Sequence, residues 1–137
     1  MKKHFERNLE SLESVFQLIH EFVKDNTIDP AAAFAMNLAT EEIFVNMVKH
    51  NPGGTKDISI ELDLQKDRVV LHLTDHDSKP FDIAEVEETD ETVSDGELRL
   101  GGRGLQLVRS VMDRLEYQQN GRIGCITLTK LLENSDV

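Results

Sequence analysis

Residues 29–54, DPAAAFAMNLATEEIFVNMVKHNPGG, decide how the rest of the chain is read. Asp29 offers a side-chain acceptor to the free amides of a first helical turn, and Pro30 follows at a position where its missing N–H costs nothing. Strong helix formers continue to His50, and Asn51-Pro52-Gly53-Gly54 is a helix-terminating turn. The stretch predicts a helix from about Pro30 to His50. Upstream, between Asn8 and Lys24, Leu9, Leu12, Val15, Phe16, Ile19, Phe22 and Val23 recur at the spacing of one buried helical face. Lys2 to Arg7 is a short strand candidate ahead of it.

Downstream, Ile58, Ile60, Leu62 and Leu64 alternate with polar residues, as do Val69, Leu71 and Leu73 after Gln65-Lys66-Asp67, which predicts a hairpin. Asp75 to Asp82 is a polar, proline-containing loop. Ile83 to Glu97 is an acidic stretch with seven Asp or Glu. Gly101-Gly102-Arg103-Gly104 leads into LQLVRSVMDRLEY, where Leu105, Val108, Val111, Met112 and Leu115 follow a helical period. Cys125 to Leu131 reads as a last strand, paired with Glu116 to Gln119 across Asn120-Gly121. This order predicts an α+β, two-layer α/β sandwich: a mixed, mostly antiparallel sheet with helices on one face, in a single domain over residues 1–137.

The chain has 137 residues, 15 basic and 26 acidic, for a formal net charge of −11. That balance argues against direct nucleic-acid binding, which relies on clustered basic side chains, and leaves an acidic surface suited to a basic protein partner. With six Phe, one Tyr and no Trp, the core is expected to be built from Leu, Ile, Val, Met and Ala. One cysteine, Cys125, makes neither an internal disulfide nor a thiolate metal site; it suits a reducing cytoplasm and reads as a core residue. No stretch approaches the roughly 18 apolar residues of a membrane span, and no apolar run follows MKKHFERNLE, so no export or insertion is expected.

Three groups of residues can carry chemistry. On the second helix Glu42 and Asn46 stand four apart, with Lys49 and His50 one turn later, so all four are expected near one face, while Ile43, Val45, Met47 and Val48 take the core side. Such spacing also describes a solvated face, but an asparagine inside a helix is a poor helix former, and beside a carboxylate it supplies hard oxygen ligands suited to Mg²⁺. Gly101-Gly102-Arg103-Gly104 lets a phosphate approach backbone amides at the positive end of a helix; a turn alone would also use these glycines. The loop Asp75-His76-Asp77-Ser78-Lys79-Pro80-Phe81-Asp82 places a carboxylate where it can accept from an exocyclic amine; a capped acidic turn has the same composition. His72 and His76 read as solvated histidines.

In this order and at these intervals the three blocks resemble the GHKL (Bergerat-fold, histidine-kinase-like) ATPase superfamily, and within it the anti-sigma factor serine/threonine kinases. The resemblance spans roughly Asp29 to Leu132: EEIFVNMVKH looks like the family's N-box, the Asp75 loop like its first glycine box, and GGRGLQLVRSVMDRLEY like its second. It implies ATP and Mg²⁺ as cofactors, Glu42 as general base and Asn46 as the Mg²⁺ ligand. It further implies Lys49 and His50 beside the phosphates, Asp75 on the adenine amine, and Gly102, Arg103, Gly104 and Leu105 in the phosphate-binding block, with a nucleotide lid at about 83–100. The implied function is a kinase that binds a sigma factor and phosphorylates a serine of an anti-sigma factor antagonist, with a possible homodimer through the N-terminal region.

The middle block departs from the family's Asp-x-Gly, because Asp77 stands two places after Asp75 and the loop has no glycine. Alignment on Pro80-Phe81 places His76 at the adenine aspartate and Ser78 at the glycine instead. Asp75 is preferred, since it follows the alternating strand and keeps an acceptor. The altered box also supports an alternative, a non-catalytic regulatory binding module of the same fold with weak or no ATP binding.

Overall fold

The computed structural model describes residues 1–51, 54–78 and 103–132. The expected lid, Pro80-Phe81, Gly101 and Gly102 lie outside the described residues. The elements are β1 (Lys2–Phe5), a 3-10 turn (Leu9–Ser11), α1 (Leu12–Asp25), α2 (Pro30–His50), β2 (Ile58–Leu64), β3 (Arg68–Asp75), α3 (Arg103–Val111), β4 (Arg114–Asn120) and β5 (Ile123–Leu131). The strands form a five-stranded sheet in the order β1-β2-β3-β5-β4. Every pairing is antiparallel, so the sheet expected to be mixed has no parallel pair among the described residues.

Side chains satisfy free amides at the head of α2 and at the 3-10 turn that leads into α1. Asn8 accepts from the Ser11 amide at 3.0 Å ahead of α1, and Asp29 accepts from the Ala32 amide at 2.8 Å at the head of α2. Helix α2 touches α1, α3, β3 and β5, which explains why it is buried around much of its circumference. Ala32, Ala35 and Ala39 are fully covered, while Ile43, Phe44 and Met47 carry the same helix into the core. Val45, expected on the core side, is only half-buried, and Phe44 takes that place.

The sheet meets the helices through Ile58, Ile60, Leu71, Leu73, Ile126 and Leu128, all in one buried cluster. The intervening residues face the other way. There His72 meets Thr127 Oγ1 at 3.1 Å, and Cys125, expected in the core, is half-buried and accepts from the Thr74 hydroxyl at 3.5 Å. Among the described residues no helix is long and apolar enough to cross a membrane.

Helix α3 stops at Val111, six residues short of the stretch read as helical from its period, and Leu115 and Tyr117 belong to β4. The sheet captures the chain here. The Lys130 amine donates to the Val111 carbonyl at 2.9 Å, the Asp113 amide to the Thr129 carbonyl at 2.9 Å, and the Leu131 amide to the Asp113 carboxylate at 2.7 Å. Leu115, opposite Leu128, fits a strand's alternation as well as a helical period, so pattern alone did not separate the two.

Leu71 lies in the middle strand of the sheet with no exposed surface, whereas Phe34 on α2 is 64% exposed. Leu71→Ala is expected to cost about 2–5 kcal/mol in urea unfolding, from lost burial plus the cavity left behind. Phe34→Ala is expected to cost under about 0.5 kcal/mol.

Candidate functional site

Helix α2 delivers its polar residues unevenly. Glu42 and His50 are half-buried, Lys49 is exposed, and Asn46 is buried at 6% exposure. The Asn46 Nδ2 donor has no hydrogen-bond partner among the described residues, nor has the buried Thr40 hydroxyl. Leaving such a group unpaired costs about 1–3 kcal/mol, so Asn46 is poorly explained as a packing residue.

Met47, next to Asn46, and His50, one turn beyond it, line a cavity with Asp75, Ser78, Tyr117, Gly124 and Ile126. The structure therefore brings the end of α2, the end of β3 and the β4–β5 hairpin together. Gly124 marks this closeness: a Cβ there would fall 2.9 Å from Gln119 Oε1 and 3.0 Å from Ser78 Oγ, so side chains would have to shift. His76 points elsewhere. Its Nε2 lies 3.2 Å from the Ser59 hydroxyl and its ring 5.9 Å from His4, on the sheet face turned away from the helices. Of the two alignments of this loop, the one that uses Asp75 puts the acceptor on the cavity.

Asp75 is held by a residue that no motif pointed to. Arg7, 68 positions earlier, pairs through its guanidinium with both carboxylate oxygens, at 3.3 Å for Nη1 to Oδ2 and with Nη2 on Oδ1. The two side chains are only 2% and 3% exposed. Arg7 also donates to the Met47 carbonyl at 3.0 Å and the Lys56 carbonyl at 3.3 Å. Gly54 closes the slot, since a Cβ there would lie 2.7 Å from Arg7 Nε. The cavity left beside this pair is about 20 Å³, room for about one water.

Helix α3 opens at Arg103 and Gly104, and Leu105 is 3% exposed in the core. Among the described residues no group of three His, Cys, Asp or Glu is arranged to hold a metal ion. A Mg²⁺ carried largely by substrate phosphates needs no such cage.

Residues 5–130 match the family model of the histidine kinase-like ATPase domain. The chain belongs to that family. No curated protein matches it. Among solved structures it is similar to the RsbU and RsbW domains of Rv1364c from Mycobacterium tuberculosis, with 15% identity and a TM-score of 0.71 over 96% of this chain and 32% of that one. It thus spans about a third of that chain's length. It is also similar to the SiaB-SiaC complex from Pseudomonas aeruginosa, with 12% identity and a TM-score of 0.66 over 96% of this chain and 88% of the other. A third likeness is to the Acinetobacter baumannii histidine kinase AdeS, with 12% identity and a TM-score of 0.54 over 98% and 68%. At such identities these likenesses concern the fold.

Within this histidine kinase-like domain, Asp77, two places after Asp75, does not line the cavity. Its carboxylate accepts from Arg122 at 2.7 Å and from the Thr55 amide at 3.1 Å, its own amide donates to Asp75 at 2.9 Å, and its carbonyl accepts from Asn51 at 2.7 Å. The Arg122 bond, then the Thr55 amide, hold its carboxyl below the usual carboxylate range. Tyr117 behaves oppositely. Burial first, with the Asp75 charge adding to it, pushes its phenol up to about 12, so it remains a donor to Gln119.

Two titrations test this geometry. Tyr117 is the sole tyrosine and no Trp is present, so tyrosinate absorbance should titrate near 12 in the folded chain and near 10.0 in urea. Asp77, with its lowered folded pKa, stabilises the fold above the ordinary value of 3.8 and loses that contribution as pH falls through its depressed value. Asp77→Asn should lower Tm at neutral pH and reduce the further loss of Tm on acidification.

Proposed function

We propose that this chain is an ATP- and Mg²⁺-dependent protein serine/threonine kinase of the anti-sigma factor type, which binds a sigma factor and phosphorylates a serine of an anti-sigma factor antagonist. The observation that carries the reading is Asn46: a buried amide whose donor has no partner among the described residues, one turn from His50, which lines a cavity with Asp75, in a chain of the histidine kinase-like ATPase family. With Nδ2 unpartnered among the described residues, no hydrogen bond there fixes the orientation of the amide, and its hard oxygen donor suits Mg²⁺. The likeness to a chain with an RsbW domain and to a complex of two proteins supports a protein partner. The acidic balance of the chain suits a basic one.

In this reading the bound nucleotide supplies the phosphoryl group and its Mg²⁺ neutralises charge. Asn46 holds the cation through its amide oxygen. Asp75 accepts from the base amine, the backbone of Gly102, Arg103 and Gly104 at the head of α3 takes phosphate oxygens, and Leu105 anchors that segment to the core. Lys49 and His50 add positive charge or hydrogen bonds near the phosphates. Glu42, half-buried two turns before His50, takes the proton of the incoming serine hydroxyl. The kinase is expected to act in the cytoplasm, with residues 83–100 as its nucleotide lid and the N-terminal region available for pairing two copies.

One observation favours a second reading. With Arg7 on Asp75 and about 20 Å³ beside them, the base site as it stands is far below the roughly 300–1,000 Å³ of ordinary ligand pockets. A regulatory module that binds its partner with weak or no ATP binding would need nothing more.

Calorimetric titration of MgATP separates the two. The kinase reading expects saturable binding by the natural chain and a loss of at least about tenfold in Asn46→Ala, since that change removes a cation ligand. Glu42→Ala should keep its nucleotide and lose about 10²–10⁴-fold in phosphate transfer to a partner protein. Absence of heat at millimolar ATP would leave the binding module.

A further inference from the structure

We infer that Arg7 is an intramolecular competitor for the nucleotide base: its guanidinium occupies the acceptor on Asp75 that an exocyclic amine would need, and so sets how tightly the chain holds ATP. The inference rests on the ATP-binding reading proposed above. Three observations carry it.

The first is the occupancy of the acceptor. A carboxylate has about four lone-pair sites. Oδ1 of Asp75 already accepts from Arg7 and from the Asp77 amide, and Oδ2 accepts from Arg7. An amine approaching Asp75 must displace a charged, forked donor or take the one site that remains.

The second is the fit of the slot around Arg7. The carbonyls of Met47 and Lys56 receive its other N–H groups, and Gly54 leaves no room for even a methyl group beside Nε. A guanidinium with charge-assisted bonds to a carboxylate outweighs the single neutral N–H that a base offers, so the closed arrangement is favoured until other contacts to the nucleotide compensate.

The third is the tether. Arg7 stands two residues after the end of β1, an edge strand of four residues that among the described residues pairs with β2 alone. The Met47 carbonyl that anchors Arg7 belongs to the same turn of α2 as Asn46, and Met47 itself lines the cavity. The strand, the base acceptor and the expected cation ligand therefore share one network. Whatever shifts β1 withdraws Arg7 and frees Asp75.

The test uses the full chain in three forms: natural, Arg7→Gln and Arg7→Lys. Gln removes the charge, and Lys keeps a charge opposite Asp75 while losing the fork, so at least one variant is expected to fold; far-UV circular dichroism and a cooperative thermal transition establish which do. MgATP and magnesium inosine triphosphate, which lacks the exocyclic amine, are titrated by calorimetry. The expected result is ATP affinity at least tenfold higher in Arg7→Gln, with Arg7→Lys in between, and a smaller gain for inosine triphosphate. Equal or weaker ATP binding by the folded variants, or an equal gain for both nucleotides, overturns the inference. Tight ATP binding by all three forms would do so while leaving the ATP-binding reading intact, whereas no binding by any folded form would remove both.

Discussion

The Arg7–Asp75 ion pair is the contact on which the site depends. Two opposite charges, 2% and 3% exposed, lie at the point where the N-terminal segment, the end of α2, the 54–57 loop and the end of β3 converge. Removing two charges from water is expensive, and mutual attraction repays it only when the remaining donors and acceptors are also used. Here they are: Arg7 spends further N–H groups on two carbonyls, and Asp75 receives the Asp77 amide as well. Loss of one partner would leave a buried charge uncompensated, a change of about 3–5 kcal/mol in comparable settings. The pair fixes Asp75 where it meets the cavity.

Beside this satisfied pair stands an unsatisfied group. Asn46 is buried on α2, and its Nδ2 has no partner among the described residues. The contrast matters, because a fold that meets the demands of Arg7 so fully has left one amide open a turn from the same cavity. Strain of this kind is tolerated where a ligand is to be bound. In the proposed reading, Asp75 closed and Asn46 open describe a site whose cation end is ready while its base end is shut.

Much of the fold is legible from local pattern. Asp29-Pro30 and Asn51-Pro52-Gly53-Gly54 bracket α2 because capping chemistry and proline act on the residues next to them, and the structure ends that helix at the same places. Alternation in 58–64 and 69–73 gives β2 and β3 for the same reason. The end of α3 was not legible, since the contacts that stop it come from Asp113 and Lys130 reaching β5 and α3 across the fold. Of the candidate residues, His50 and Asp75 line one cavity and Asn46 is buried a turn of α2 before His50, whereas Lys49 is exposed. Arg7 had no signal at all. It is a single basic residue in a charged N-terminus, and only the tertiary fold spans the 68 positions to its partner.

The central claim is that one carboxylate, at the end of β3, is the base acceptor and is held by Arg7 until a nucleotide takes its place. A crystal structure of the chain with Mg²⁺ and a non-hydrolysable ATP analogue tests it most directly. The account predicts the base amine on Asp75, the Arg7 guanidinium withdrawn, and the Asn46 amide oxygen on the cation. A nucleotide bound with Arg7 still paired to Asp75, or seated away from the end of α2, would contradict it.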